Sequence, residues 1–122
     1  MPRPKTPYKG LTGSSAASTP SVALSVVLPC YRAAALACRS VMTLAEAFED
    51  RVPSYEIIVV DDGGHDCDQI VSGLPVGPNG NVSVVTLGQN RGKGAAVAAG
   101  MARARGDVRV STGSDVAYGA SP

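Results

Sequence analysis

Residues 55–62 read YEIIVVDD, and no other stretch of the chain limits its fold so tightly. Ile57, Ile58, Val59 and Val60 follow one another without a polar break. Successive side chains of a strand point to opposite faces, so a strand built this way must be covered on both sides. VSVVTL at 82–87 is nearly as apolar, and ALSVVLP at 23–29 is a third such run, stopped by Pro29. DVRVST at 107–112 is a fourth strand candidate. Helical patterns lie between them. AAALACRSVMTLAEAFED, 33–50, sets Ala37, Val41, Leu44, Ala45 and Phe48 on one face, and GAAVAAGMARAR, 94–105, is a small-residue helix opened by glycine. A short helix is expected over Asp66–Leu74, and LPVGPNGN reads as a turn-rich loop. Doubly apolar strands alternating with helices predict an α/β fold, a three-layer α/β/α sandwich around a mostly parallel sheet.

A chain of 122 residues makes one domain at most. Trp is absent and Phe48 is joined by only four tyrosines, so the core must come from Val, Leu, Ile and Ala. The formal net charge of +1 gives no electrostatic case for a nucleic acid partner. Cys30, Cys38 and Cys67 are odd in number and lack a CxxC spacing, which suits a reducing compartment and carries no zinc signature. Residues 1–21 are expected to be a flexible, basic, Pro/Ser-rich tail, and 22–122 the folded domain. The tail has no apolar core of a secretory signal, and no run reaches the length of a membrane span. The expected location is therefore cytoplasmic. The three basic residues of the tail suit an anionic membrane surface, although a plain disordered leader explains them better.

In open α/β sheets ligands gather at the carboxyl ends of the strands. The first end here is PCYR, where Pro29 stops the strand and Tyr31 offers a flat face with a hydroxyl. The second is DDGGHDCD, which holds four of the ten acids. Asp61 and Asp62 suit hydrogen bonds to a base and a ribose, or a Mg²⁺ ion, or the capping of a following helix. His65, the one histidine, reads as a solvated loop residue. The third end, GQNRGKGAAV, sets Arg91 and Lys93 among glycines just before a helix N-terminus, an arrangement that favours an anion such as a diphosphate. It is neither a Walker A loop nor a GxGxxG fingerprint. The fourth end, STGSDVAYG, offers a single carboxylate, Asp115.

In this order and spacing LSVVLPCYR, YEIIVVDDGG, NRGKGAAVAAGMARARGD and STGSDVAYG resemble the family 2 glycosyltransferases of the GT-A fold. NRGKGAAV followed by RARGD is the most specific element, similar to the branch that moves a hexose from a nucleotide sugar to a polyprenyl or dolichyl phosphate. The resemblance runs from about residue 23 to residue 119 and covers the nucleotide-binding, amino-terminal half of such an enzyme. It implies a Rossmann-like sheet. Pro29 and Tyr31 would line a nucleobase pocket, and Asp62, or Asp61 beside it, would accept a hydrogen bond from base or ribose. Asn90, Gly92, Lys93 and Gly94 would shape the phosphate side, with Lys93 the charged contact. The family's Asp-x-Asp, which holds Mg²⁺ or Mn²⁺ on the donor diphosphate, would fall at Gly113-Ser114-Asp115. Gly113 stands where the first acid belongs, and Ala33 where an acid commonly follows the Tyr-x pair.

The first expectation is thus a nucleotide-diphosphate-sugar-binding domain of a hexosyltransferase, with weak metal binding at Asp115 and little turnover by the isolated chain. A polyprenyl phosphate at the membrane surface would be its acceptor. The alternative is a non-catalytic nucleotide-sugar-binding remnant. A receiver-like phosphoacceptor domain fits worse, because the third strand end, TLGQN, offers no aspartate. Self-association through an exposed sheet edge is also expected.

Overall fold

A computed structural model describes residues 22–64, 67 and 71–113. The expected tail at 1–21, His65 and Asp115 lie outside the described residues. Among the described residues the main elements are β1 (Val22–Cys30), α1 (Ala34–Phe48), β2 (Tyr55–Asp62), β3 (Gly80–Leu87), α2 (Lys93–Arg103) and β4 (Gly106–Ser111). Of the helix expected at 66–74, Val71 and Ser72 are helical, and Val71 N–H donates to the Cys67 carbonyl at 2.8 Å.

The strands lie in the order β3-β2-β1-β4 and every neighbouring pair is parallel. The chain steps outward from β1 through β2 to β3, then returns across the sheet to place β4 on the far side of β1. The strand order therefore reverses at β1, and a crevice opens beyond its carboxyl end.

β2 is buried along all eight residues, as its unbroken apolar run requires. On one face Leu28, Ile57 and Val59 pack with Ala37, Val41 and Ala45 of α1. On the other, Val27, Ile58 and Val60 pack with Ala96 of α2. One helix on each face gives the three layers. Each fully buried Val, Ile or Leu stabilises by roughly 1.5–3 kcal/mol, so these two clusters dominate the cohesion of the layers. β4 differs. Val108 and Val110 pair in register with Leu24 and Val26 and share their α1-side face, yet they are 56% and 42% exposed.

Two polar groups tie the far edge of the sheet together. Glu56 is buried in β2 and accepts from Ser25 Oγ at 2.6 Å and from Arg105 N–H at 2.7 Å, with the Arg105 guanidinium at 3.4 Å. Ser25 Oγ in turn accepts from Gly106 N–H at 2.8 Å, which fastens the start of β4 to β1. Tyr55 donates from its hydroxyl to Glu49 at 2.9 Å and meets Phe48 edge-on. Burial, and then the neighbouring Glu49 carboxylate, push the Tyr55 pKa up to about 12.

Candidate functional site

A cleft of about 450 Å³ opens at the carboxyl edge of the sheet, where the strand order reverses. Pro29, Cys30 and Tyr31 line it from the end of β1, and Asp62 from the end of β2. Asn90, Gly92, Lys93 and Ala96 line it from the loop after β3 and the first turn of α2, and Gly113 from beyond β4. All four strand ends meet in one cavity. Thr112 N–H donates to the Val27 carbonyl at 3.0 Å, which brings Gly113 alongside the end of β1.

The two adjacent aspartates part company here. Asp62 faces α2, and its carboxylate accepts from the backbone N–H groups of Arg91 at 2.7 Å and Gly92 at 2.9 Å. Asn90 Oδ1 also accepts from Gly92 N–H, at 3.0 Å. The acid thus clamps the NRGKG loop against β2. Asp61 faces α1, is fully buried and does not line the cleft. Its two oxygens accept from Gly64 N–H at 3.0 Å and Cys67 N–H at 3.1 Å, so it holds the turn that follows β2.

That turn needs glycine at position 63. Gly63 adopts φ +87°, and a Cβ there would lie 2.5 Å from Asn90 N. The β2 turn and the β3 loop therefore touch backbone to backbone. Gly92 at φ +97° then turns the chain into α2, whose first turn carries no acidic residue. The positive end of this helix and its first residue, Lys93, line the cleft together, a setting for an anion. Tyr31 is partly exposed at the mouth. The guanidinium of Arg32 lies 5.2 Å from its ring centroid, and Arg32 itself holds a left-handed φ of 53°.

Six of the residues singled out in the sequence come together: Pro29, Tyr31, Asp62, Asn90, Gly92 and Lys93. Asp61 and Gly94 do not line the cleft. Cys30 and Ala96 do, and the sequence reading passed over both. Cys30 sits between two chosen residues, and Ala96 lies one turn inside the helix, where a small side chain leaves room.

The chain matches the glycosyl transferase family 2 over residues 25–119. It belongs to that family. The family 2 domain is 36% identical over 93 residues to a dolichyl-phosphate beta-glucosyltransferase of Dictyostelium discoideum, covering 70% of this chain and 28% of that protein. It is 32% identical over 94 residues to an undecaprenyl-phosphate 4-deoxy-4-formamido-L-arabinose transferase of Pseudomonas fluorescens, covering 76% of this chain and 28% of the relative. The family 2 domain thus spans less than a third of the length of these relatives. Its parallel sheet with a helix on each face agrees with the Rossmann-like half expected of such enzymes.

Among the described residues, the cleft supplies one carboxylate toward a Mg²⁺ or Mn²⁺ site. Such ions take oxygen ligands, usually one or two carboxylates together with substrate phosphates. Asp62 is the one described carboxylate that lines the cleft, and both its oxygens already accept backbone N–H bonds. Gly113 lines the wall where the resemblance places the first acid, and it has no side chain.

Proposed function

We propose that this chain binds the donor of a glycosyl transfer reaction, a nucleoside-diphosphate hexose, in the cleft at the end of β1. The observation that carries this reading is the meeting of Pro29, Tyr31, Asp62 and Lys93 in one cavity at the strand-order reversal. Pro29 and Tyr31 present apolar and aromatic surface suited to a nucleobase. Asp62 acts through the loop it clamps, and a bound ribose or base would compete with the Arg91 and Gly92 N–H groups for its oxygens. Lys93 and the α2 N-terminus oppose the negative charge of the diphosphate, which grows as the glycosidic bond breaks.

The acceptor in this reading is a polyprenyl phosphate, the class named in both relatives. It is ionised at neutral pH and needs no strong protein base to attack. No helix among the described residues is long and apolar enough to cross a membrane. In this reading the domain meets its acceptor from the cytoplasmic side, at the membrane surface. Val108 and Val110 on the open β4 support self-association across that edge. Light scattering that finds only monomer at high concentration would remove that part.

A second reading has one specific observation in its favour. With Gly113 on the wall and no second described carboxylate in the cleft, the domain would bind donor without transferring it. Calorimetric titration with UDP, GDP and TDP, with and without Mn²⁺, separates the possibilities. Binding is expected, and Lys93→Ala should weaken it about 5- to 10-fold, more at low salt than at high. Transfer of radiolabelled hexose to polyprenyl phosphate by this chain should be near background. Robust Mn²⁺-dependent transfer selects the catalytic reading, and absence of any nucleotide binding overturns both.

A further inference from the structure

On the α1 side of the sheet, behind the cleft, lies a cluster that donor binding does not use. The Sγ atoms of Cys30 and Cys67 are 3.2 Å apart. With a carboxylate oxygen of Asp61 they make three donor atoms that all lie within 4.8 Å of one another, and all three side chains are buried. The geometry points to a binding site for a borderline-soft divalent cation of the Zn²⁺ class, held by Cys30, Cys67 and Asp61.

The donor set selects the ion. Two sulfurs disfavour Mg²⁺, Ca²⁺ and Mn²⁺, which prefer oxygen, whereas Zn²⁺ takes thiolate and carboxylate together. Two Zn–S bonds of about 2.3 Å at a tetrahedral angle set the sulfurs about 3.8 Å apart. The pair need open by only about 0.6 Å, within side-chain rotation. The frame around the ligands already exists. Cys30 and Asp61 are register partners on adjacent strands and share one face of the sheet. Gly64 N–H and Cys67 N–H orient the Asp61 oxygens on the α1 side of the sheet.

Access and charge agree with this assignment. Cys30 also lines the cleft, so the ion and a water as fourth ligand reach the cluster past its thiol. Binding releases the two thiol protons to solvent, and the cation then offsets two of the three negative charges of the thiolates and the carboxylate, leaving a net charge of −1 in a buried place. The site uses none of the residues at 113–115, where the family resemblance places its hard metal. It stands or falls independently of donor binding.

The test is Co²⁺ titration of the metal-free chain, kept reduced with a phosphine. Sulfur-to-cobalt charge-transfer absorption in the near ultraviolet is expected. It should saturate at about one ion per chain and vanish when Zn²⁺ displaces the cobalt. Cys67→Ala and Cys30→Ala should each abolish the band and weaken Zn²⁺ binding by about 100-fold or more. Cys38→Ala, which alters the remaining cysteine, should leave both unchanged. Circular dichroism of the metal-free variants checks that they fold, and either variant suffices. A titration with no charge-transfer band overturns the site, as does a band that survives in a folded Cys67→Ala or Cys30→Ala chain. A band lost in Cys38→Ala overturns it equally.

Discussion

Asp61 and Asp62 are neighbours in the chain and belong to different regions of the molecule. Each accepts backbone N–H bonds on both carboxylate oxygens and each is almost fully buried. Asp61 looks toward α1 and holds the turn after its own strand, among Cys30 and Cys67. Asp62 looks toward α2 and holds the loop after the neighbouring strand, on the wall of the cleft. Alternation along a strand puts the thickness of the sheet between two consecutive carboxylates. Identical local chemistry thus serves a packed interior on one side and an open site on the other.

The opposite end of the same strand extends the contrast and should show the largest effect. Glu56 shares the α2-side parity of Asp62 but faces no cleft. Glu56→Ala leaves the Ser25 hydroxyl and the Arg105 N–H without their acceptor. A loss of about 3 kcal/mol is expected in urea denaturation, with nucleotide affinity of the folded fraction unchanged. A loss below about 1 kcal/mol would show that water replaces the carboxylate and that this end is not a closed interior.

The aspartates themselves give the sharpest comparison. In metal-free buffer Asp61→Ala should cost about 2–3 kcal/mol, because the Cys67 N–H is left buried without an acceptor. Its folded form should bind UDP as the parent does. Asp62→Ala should cost about 1–2 kcal/mol, since its donors lie in a partly exposed loop, and should weaken UDP about 10-fold or more by releasing that loop. If the two variants prove indistinguishable in both measurements, the two faces do not divide the work as the geometry implies.

Tyr55 supplies a pH-dependent effect on the α1 side. Its folded pKa of about 12 stands above the ordinary value of 10. The stability it contributes is complete below pH 10 and is lost as pH rises through about 12, at most roughly 2–3 kcal/mol. Tyr55→Phe should flatten that stretch of the pH–stability curve. An unchanged slope would place the alkaline loss elsewhere.

Much of the fold was legible because it rests on local pattern. Four apolar residues in a row in β2 demanded cover on both faces, and the helical face of Ala37, Val41, Ala45 and Phe48 supplied it on one side. The strand ends were legible as a site because topology gathers them at one edge whatever the loop details. The side-chain directions were not. Gly94 looked equivalent to Gly92, yet only Gly92 turns at the cleft, because the helix starts between them. Cys30 and Cys67 carry no metal-binding spacing, being 37 residues apart, and their contact arises from strand pairing followed by a folded-back turn.

The sequence by itself therefore determined a parallel sheet with a helix on each face, because unbroken apolar runs leave no face for water. It also determined that acids, glycines and basic residues would collect at the carboxyl edge. Only the tertiary structure decided which aspartate meets the cleft and which meets two thiols. That choice depends on the register that pairs Cys30 with Asp61 and on which face each helix covers. Both are set by contacts between residues far apart in the chain, and periodicity read along the chain carries no information about them.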